Sequence, residues 1–300
     1  MSSQSAFYET EDWPLQPSPR HSSRSLSLSS EAASIHFSNF PLPPTPSTSR
    51  PPSDTSRVSS GTSTIHTIHV PLSKAFIISF CKGSKLFKLR YSQIELEKNI
   101  AGSVKRILLS DSCATHSTLV HSFSDARAPI PHLEQPVTST SSHVSRISFL
   151  EEQTLQSGPT LFQAEPQYTF DSWEDCVNFQ EAILGQTIVF TAGIAEAKSK
   201  GRGEECISQN LRILRGRNGR QIILFFANSQ RRERKKYITI PLDCIDRIEQ
   251  TKRSGRPLSL SLRPNFELLT QLKSLQILFL DENDQKRFFG LLCHGVGYQA

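Results

Sequence analysis

The 300-residue chain lacks long apolar runs. No stretch approaches the roughly 18 uninterrupted apolar residues that a membrane-spanning helix needs, and the N-terminus has no apolar segment of signal-peptide length. A soluble, intracellular protein without a transmembrane segment is expected. The six cysteines, Cys81, Cys113, Cys176, Cys206, Cys244 and Cys293, contain no C-x-x-C pair. Their wide spacing reads as reduced core thiols rather than a disulfide framework or a zinc site. Catalytic signatures are missing too: there is no phosphate-cradling glycine loop, G-x-S-x-G elbow or H-E-x-x-H. His66 and His69 are three apart, so on a strand they face opposite sides and share no metal. A non-enzymatic protein with no cofactor and no metal is the expectation.

Hydrophobic residues make up 36% of the chain and cluster in short runs after residue 64. Residues 1–63 hold nineteen Ser and nine of the eighteen Pro. Too little apolar surface is available there to offset the ordering entropy, so a disordered Ser/Pro-rich tail is expected. Arg20 and Arg24 stand three residues before Ser23 and Ser27, and prolines follow Ser18 and Thr45. Those four hydroxyls are candidate phosphorylation sites of a regulated tail. The Pro41–Pro46 stretch has a PxxP spacing suited to polyproline II, without a flanking base at the usual place.

From Thr64 onward short strand-like runs follow one another: 65–70, 75–80, 86–91, 146–150 and 160–164. In 86–91 apolar Phe87, Leu89 and Tyr91 alternate with Lys88 and Arg90, and the preceding Lys82-Gly83-Ser84 turn makes a hairpin. Residues 110–145, rich in Ser, Thr, His and Pro, read as a long polar insertion. Asp171–Leu184 is the clearest helix, with Ser172 and Asp175 approximating a capping box and Gly185 as its stop. Strand texture then resumes at 186–192, 211–215, 221–227, 237–242, 258–262 and 275–280, with Asn218-Gly219 as a turn. A second helix is expected over Glu282–Cys293, capped by Asp281 and carrying Phe288, Phe289, Leu291 and Leu292.

Strands followed by one C-terminal amphipathic helix, twice over, resemble a tandem of pleckstrin-homology-like (PH-like) domains, in which the helix plugs one open end of a bent barrel. Asp171, Phe179 and Gly185 fall 110 residues before Asp281, Phe289 and Gly295. Trp173 in the first half, and Phe288 or Phe289 in the second, stand for the tryptophan of the family's closing helix. The resemblance implies a mainly β fold of two PH-like barrels, over 64–185 (with the insertion at about 110–145) and 186–297, after the tail at 1–63.

The net charge is +6, but residues 201–263 hold fifteen Lys/Arg against six acids, whereas residues 1–60 hold four Arg against five acids. The positive field belongs to the second half, so anionic partners are expected. In lipid-binding members of the family, bases in the loop between the first two strands grip inositol phosphates. Lys198, Lys200, Arg202 and Arg212 are the candidates in the matching region here. The densest run, Arg231, Arg232, Arg234, Lys235 and Lys236, admits three readings: a solvated hairpin tip, contact with anionic lipid or phosphorylated protein, or a nuclear-import or nucleic-acid patch. No aromatics interleave with these bases, which disfavours nucleic acid. Lys252, Arg253 and Arg256 are expected to extend the same face. The expectation is a signalling adaptor or scaffold, cytoplasmic and peripheral at a membrane, whose partners are anionic phospholipid headgroups or an acidic or phosphorylated protein. A nuclear protein using 231–236 is the alternative.

Overall fold

The computed structural model describes residues 65–111, 117–124, 128–138, 144–200, 205–228, 236–249, 256–263 and 273–295. The tail and its four candidate phosphorylation sites, Cys113, Arg202, Arg231, Arg232, Arg234, Lys235, Lys252 and Arg253 lie outside the described residues. The described chain is mainly β, with two helices, and belongs to one compact unit, Ser60–Ala300.

The first half contains β1 (His66–Val70), β2 (Phe76–Lys82), β3 (Lys85–Tyr91), β4 (Gln93–Lys98), β5 (Val104–Ser110), β6 (Leu119–Ser122), β7 (His132–Leu133), β8 (Ser145–Ser148), β9 (Gln153–Ser157), β10 (Thr160–Ala164), β11 (Gln167–Phe170) and α1 (Trp173–Leu184). Alternation decides which faces are buried. In β4 Ile94 and Leu96 point inward while Glu95 and Glu97 remain partly exposed. Two sheets result, in the orders β1-β4-β5-β6-β9-β10 and β3-β2-β11-β8-β7. They enclose one apolar core, which includes Phe76, Ile107, Leu155, Tyr168 and, from α1, Phe179. Residues 110–145 are not simply a loop: β6 and β7 join the sheets, and Leu119, His121 and Leu133 are buried.

The second half contains β12 (Thr187–Lys200), β13 (Glu205–Arg215), β14 (Gln221–Ala227), β15 (Lys236–Pro241), a 3-10 turn (Leu242–Cys244), β16 (Ile245–Glu249), β17 (Leu258–Leu262), β18 (Ser274–Phe279) and α2 (Glu282–Gly295). One antiparallel sheet runs β15-β14-β13-β12-β18-β17-β16, so the long first strand pairs with both the second and the last. A register shift between Ile188 and Phe190 and another between Ile194 and Glu196 interrupt β12 and help it curl the sheet into a half-barrel. Its core, including Phe190, Ile213, Phe225, Leu260 and Ile277, is closed by Phe288 and Leu292 of α2.

Both helix ends follow the local chemistry. Ser172 accepts the Asp175 N–H, Gly185 adopts φ 64° beyond the last turn of α1, and Asp281 accepts the Asn283 N–H at 2.8 Å. The correspondence between the helices is one residue shorter than the sequence suggested. Their first residues, Trp173 and Glu282, are 109 apart, and so are the fully buried Phe179 and Phe288, whereas Phe289 is only partly buried. Strand order is not repeated between the halves: one is divided over two sheets, the other forms a single seven-stranded sheet. The cysteines also divide: Cys176, Cys206 and Cys244 are buried free thiols, but Cys81, expected in the core, is exposed on β2.

Candidate anion-binding end of the second half

Strand direction sorts the bases of the second half. Lys198 pairs with Glu205, Lys200 with Ser274, Ala227 with Lys236 and Ser261 with Ser274. Hence the connections that leave β12, β14 and β17 all start from one end of the sheet. Segments 198–206, 228–237 and 262–274 contain ten Lys/Arg against four Glu. α2 lies at the opposite end, where Phe288 meets Phe190 near the start of β12 and Phe279 at the end of β18, with ring centroids 5.6 and 5.2 Å apart. One end is plugged by the apolar face of α2, and at the other the described side chains include the exposed cations Lys198, Arg263 and Lys273.

Lys198 is exposed and ion-paired to Glu196 two residues back on the same face of β12. A pair this accessible contributes little and leaves the ammonium able to exchange partners. Lys198 and Lys200 lie within β12 rather than in a loop, and β15 begins at Lys236. Sequence inspection missed Arg263 and Lys273, both exposed at this end and separated by the whole β17–β18 connection. Strand pairing brings Lys273 next to Lys200, with Arg263 two strands away at the same end. Arg263 is held by Asp246 at 3.2 Å.

Asn228 fixes where the 229–235 connection leaves the sheet. Its Oδ1 accepts the Ile207 N–H at 2.7 Å and its Nδ2 donates to the Ile207 carbonyl at 2.8 Å, extending the ladder by one side chain. Ile207 itself is 53% exposed there, an aliphatic side chain opposite Asn228.

Two expected members do not belong to this face. Arg212 is 2% exposed, donates to Gln180 Oε1 of α1 at 2.7 Å and lies over the Tyr237 ring. It is a buried link to the first half, where no solvent-borne anion reaches it. Burial lowers its pKa and pushes the Tyr237 phenol up to about 12. Arg256 sits at the opposite end, its carbonyl accepting from Gln285 of α2 at 3.3 Å. The connection carrying Lys252 and Arg253 springs from that end as well, because Glu249 pairs with Ser259. Bases are present there too, at Arg215, Arg217 and Arg220, but Asp281, Glu282 and Asp284 at the start of α2 supply opposing charge.

Near α2, Val137, Thr138, Trp173, Val177, Asp284 and Arg287 help line a cleft of about 390 Å³. Burial raises the Asp284 pKa against the opposing effect of Arg287, 3.1 Å away. Among the described residues no cluster of three His, Cys, Asp or Glu side chains could hold a metal ion, and no helix is long and apolar enough to cross a membrane. Compared with models of known protein families and with characterised proteins, the chain gives no significant match.

Proposed function

We propose that this chain is a non-enzymatic signalling adaptor whose second half is a PH-like module that docks through its cationic open end to anionic phospholipid headgroups at a membrane surface. One observation carries the reading. A seven-strand sheet with the first strand paired to the last, closed at one end by the apolar face of a helix, gathers Lys198, Lys200, Arg263, Lys273 and the anchors of the 201–204 and 229–235 connections at the other end. Cations on flexible stems around an open rim suit phosphate groups, to which Lys and Arg bring several charged donors each. Exposed Ile207 adds an apolar contact suited to the interfacial layer.

The first half supports the reading as a companion body rather than as a second copy of the module, because its strands are divided between two sheets. An acidic or phosphorylated protein bound at the same rim is the alternative occupant. The experiment is sedimentation of the full chain with phosphatidylcholine vesicles, with and without phosphatidylserine or phosphoinositide, at near-physiological salt. Binding to the phosphoinositide vesicles that falls at least about tenfold in the Lys198→Ala/Lys200→Ala/Arg202→Ala variant supports the module. Binding that follows total negative charge alone removes headgroup selectivity, whereas no binding to any anionic vesicle, or binding unaffected by these substitutions, refutes docking through this end and leaves a protein partner or a nuclear role for 231–236.

A further inference from the structure

Away from that rim, the five-stranded sheet of the first half is entirely free of acids. Its strands hold Lys82, Lys85, Lys88, Arg90 and Arg146 and not one Asp or Glu. Lys88, Arg90 and Arg146 are exposed. Cross-strand pairing of Arg90 with Ile77, Ile77 with Thr169 and Thr169 with Arg146 lays a row across the outward face.

β3 is the edge of this sheet and pairs only with β2. The hairpin turn is two residues long, Gly83-Ser84, with Gly83 at φ 61°. Lys82 and Lys85 are therefore the hydrogen-bonded pair that closes it, and such pairs alternate along an antiparallel ladder. Residues 85, 87, 89 and 91 direct their backbone groups to β2, so Leu86, Lys88 and Arg90 direct theirs outward. Among the described residues nothing else pairs with that edge. Beside it Leu86 is 60% exposed and Phe87 37%.

We infer that the β3 edge accepts an extended acidic peptide segment of a partner protein, carboxylate- or phosphate-bearing, as an added strand. Backbone groups at 86, 88 and 90 supply the ladder, Lys88 and Arg90 pair with the acids, and on the other face of β3 the exposed Phe87 contacts an apolar residue of the incoming strand. A free ladder row selects a peptide over a lipid, since headgroups have no backbone to match it. Lys88 and Arg90 also oppose pairing of two copies of this edge, because like charges would face each other.

The test uses the full chain and a pool of soluble heptapeptides alternating Glu or phosphoserine with Val or Thr. Controls are the same peptides with Lys for the acids, or with alternate backbone nitrogens methylated. Bound acidic peptide should slow hydrogen exchange at amides 86, 88 and 90, and neither control should. Leu86→Pro removes one outward N–H without breaking a bond to β2 and should weaken binding about tenfold, the loss expected for one hydrogen bond. Lys88→Glu/Arg90→Glu should abolish binding, and circular dichroism should show both variants folded. The inference is overturned if no acidic peptide protects these amides. It is equally overturned if folded Leu86→Pro and the methylated peptides bind unchanged, or if the charge-reversed variant loses anionic vesicles while no peptide binds.

Discussion

Asn210 of β13 and Val137 of the first half are joined by a hydrogen bond, the Val137 N–H donating to Asn210 Oδ1 at 2.8 Å. The same side chain donates to the carbonyls of Leu133 and Gln135 at 3.2 and 2.7 Å. One buried carboxamide thus holds three backbone groups of the 133–137 strap of the first half against the second. Close by, the His132 Nδ1 and the Tyr237 hydroxyl are 2.9 Å apart, and the Gly193 N–H donates to the Val137 carbonyl at 2.9 Å.

Asn210→Ala should cost about 2–3 kcal/mol by leaving those backbone groups unpaired. Gly193→Ala should act at the same joint, because a Cβ there would run into the Val137 carbonyl oxygen and the Leu280 side chain. Differential scanning calorimetry should show a lowered midpoint for both and a broadened or split transition. Unchanged profiles would mean that the strap does not couple the halves.

Which parts of this arrangement were legible in the sequence depends on how local each signal is. The Ser172 and Asp281 caps, the Gly185 stop and the strict alternation of Leu258–Leu262 are local, and the structure realises each. β4 gave no clear signal because Ile94 and Leu96 stand among Gln, Glu and Lys, and β6 because its apolar pair Leu119-Val120 is flanked by Thr, His and Ser. His121, counted with a polar insertion, is fully buried. The joint between the halves left one readable trace: Ile222–Ala227 is an unbroken apolar run, as expected of a strand covered on both faces, and Ile223–Ala227 are buried without alternation. The convergence of Lys198, Arg263 and Lys273 had no such trace, since it depends on strand order and direction.

His121 gives a prediction about pH. Burial holds its pKa down to about 3, and its Nδ1 lies 2.7 Å from the Tyr168 hydroxyl. Below about 6.5 the unfolded chain takes up a proton that the folded one refuses. This residue's contribution therefore falls as pH drops from about 6.5 toward 3, by about 1.4 kcal/mol per pH unit. His121→Phe should lose that part of the slope in urea titrations at several pH values. Parallel curves for the two proteins would contradict the assignment.

Asp175 ties α1 to the connection between β1 and β2. Its carboxylate accepts the Ser73 N–H and hydroxyl at 2.7 and 3.0 Å and the Lys74 N–H at 3.1 Å. Asp175→Ala should destabilise by about 2–4 kcal/mol, seen as a lower urea midpoint at unchanged slope.

The 109-residue correspondence of the helices predicts unequal phenylalanines. Phe288→Ala should cost about 3–5 kcal/mol by opening the plugged end. Phe289→Ala should cost less than about half as much. Equal losses in thermal unfolding would argue against Phe288 as the plug.

The docking end itself is tested most directly by hydrogen exchange on the full chain, free and bound to phosphoinositide-containing vesicles. Slowed exchange is expected at the strand ends near Lys198, Ile207, Asn228 and Lys273, with Arg256 and α2 unchanged. Protection confined to α2 and the 216–220 turn, or none at the cationic end of a chain that does bind, would contradict it.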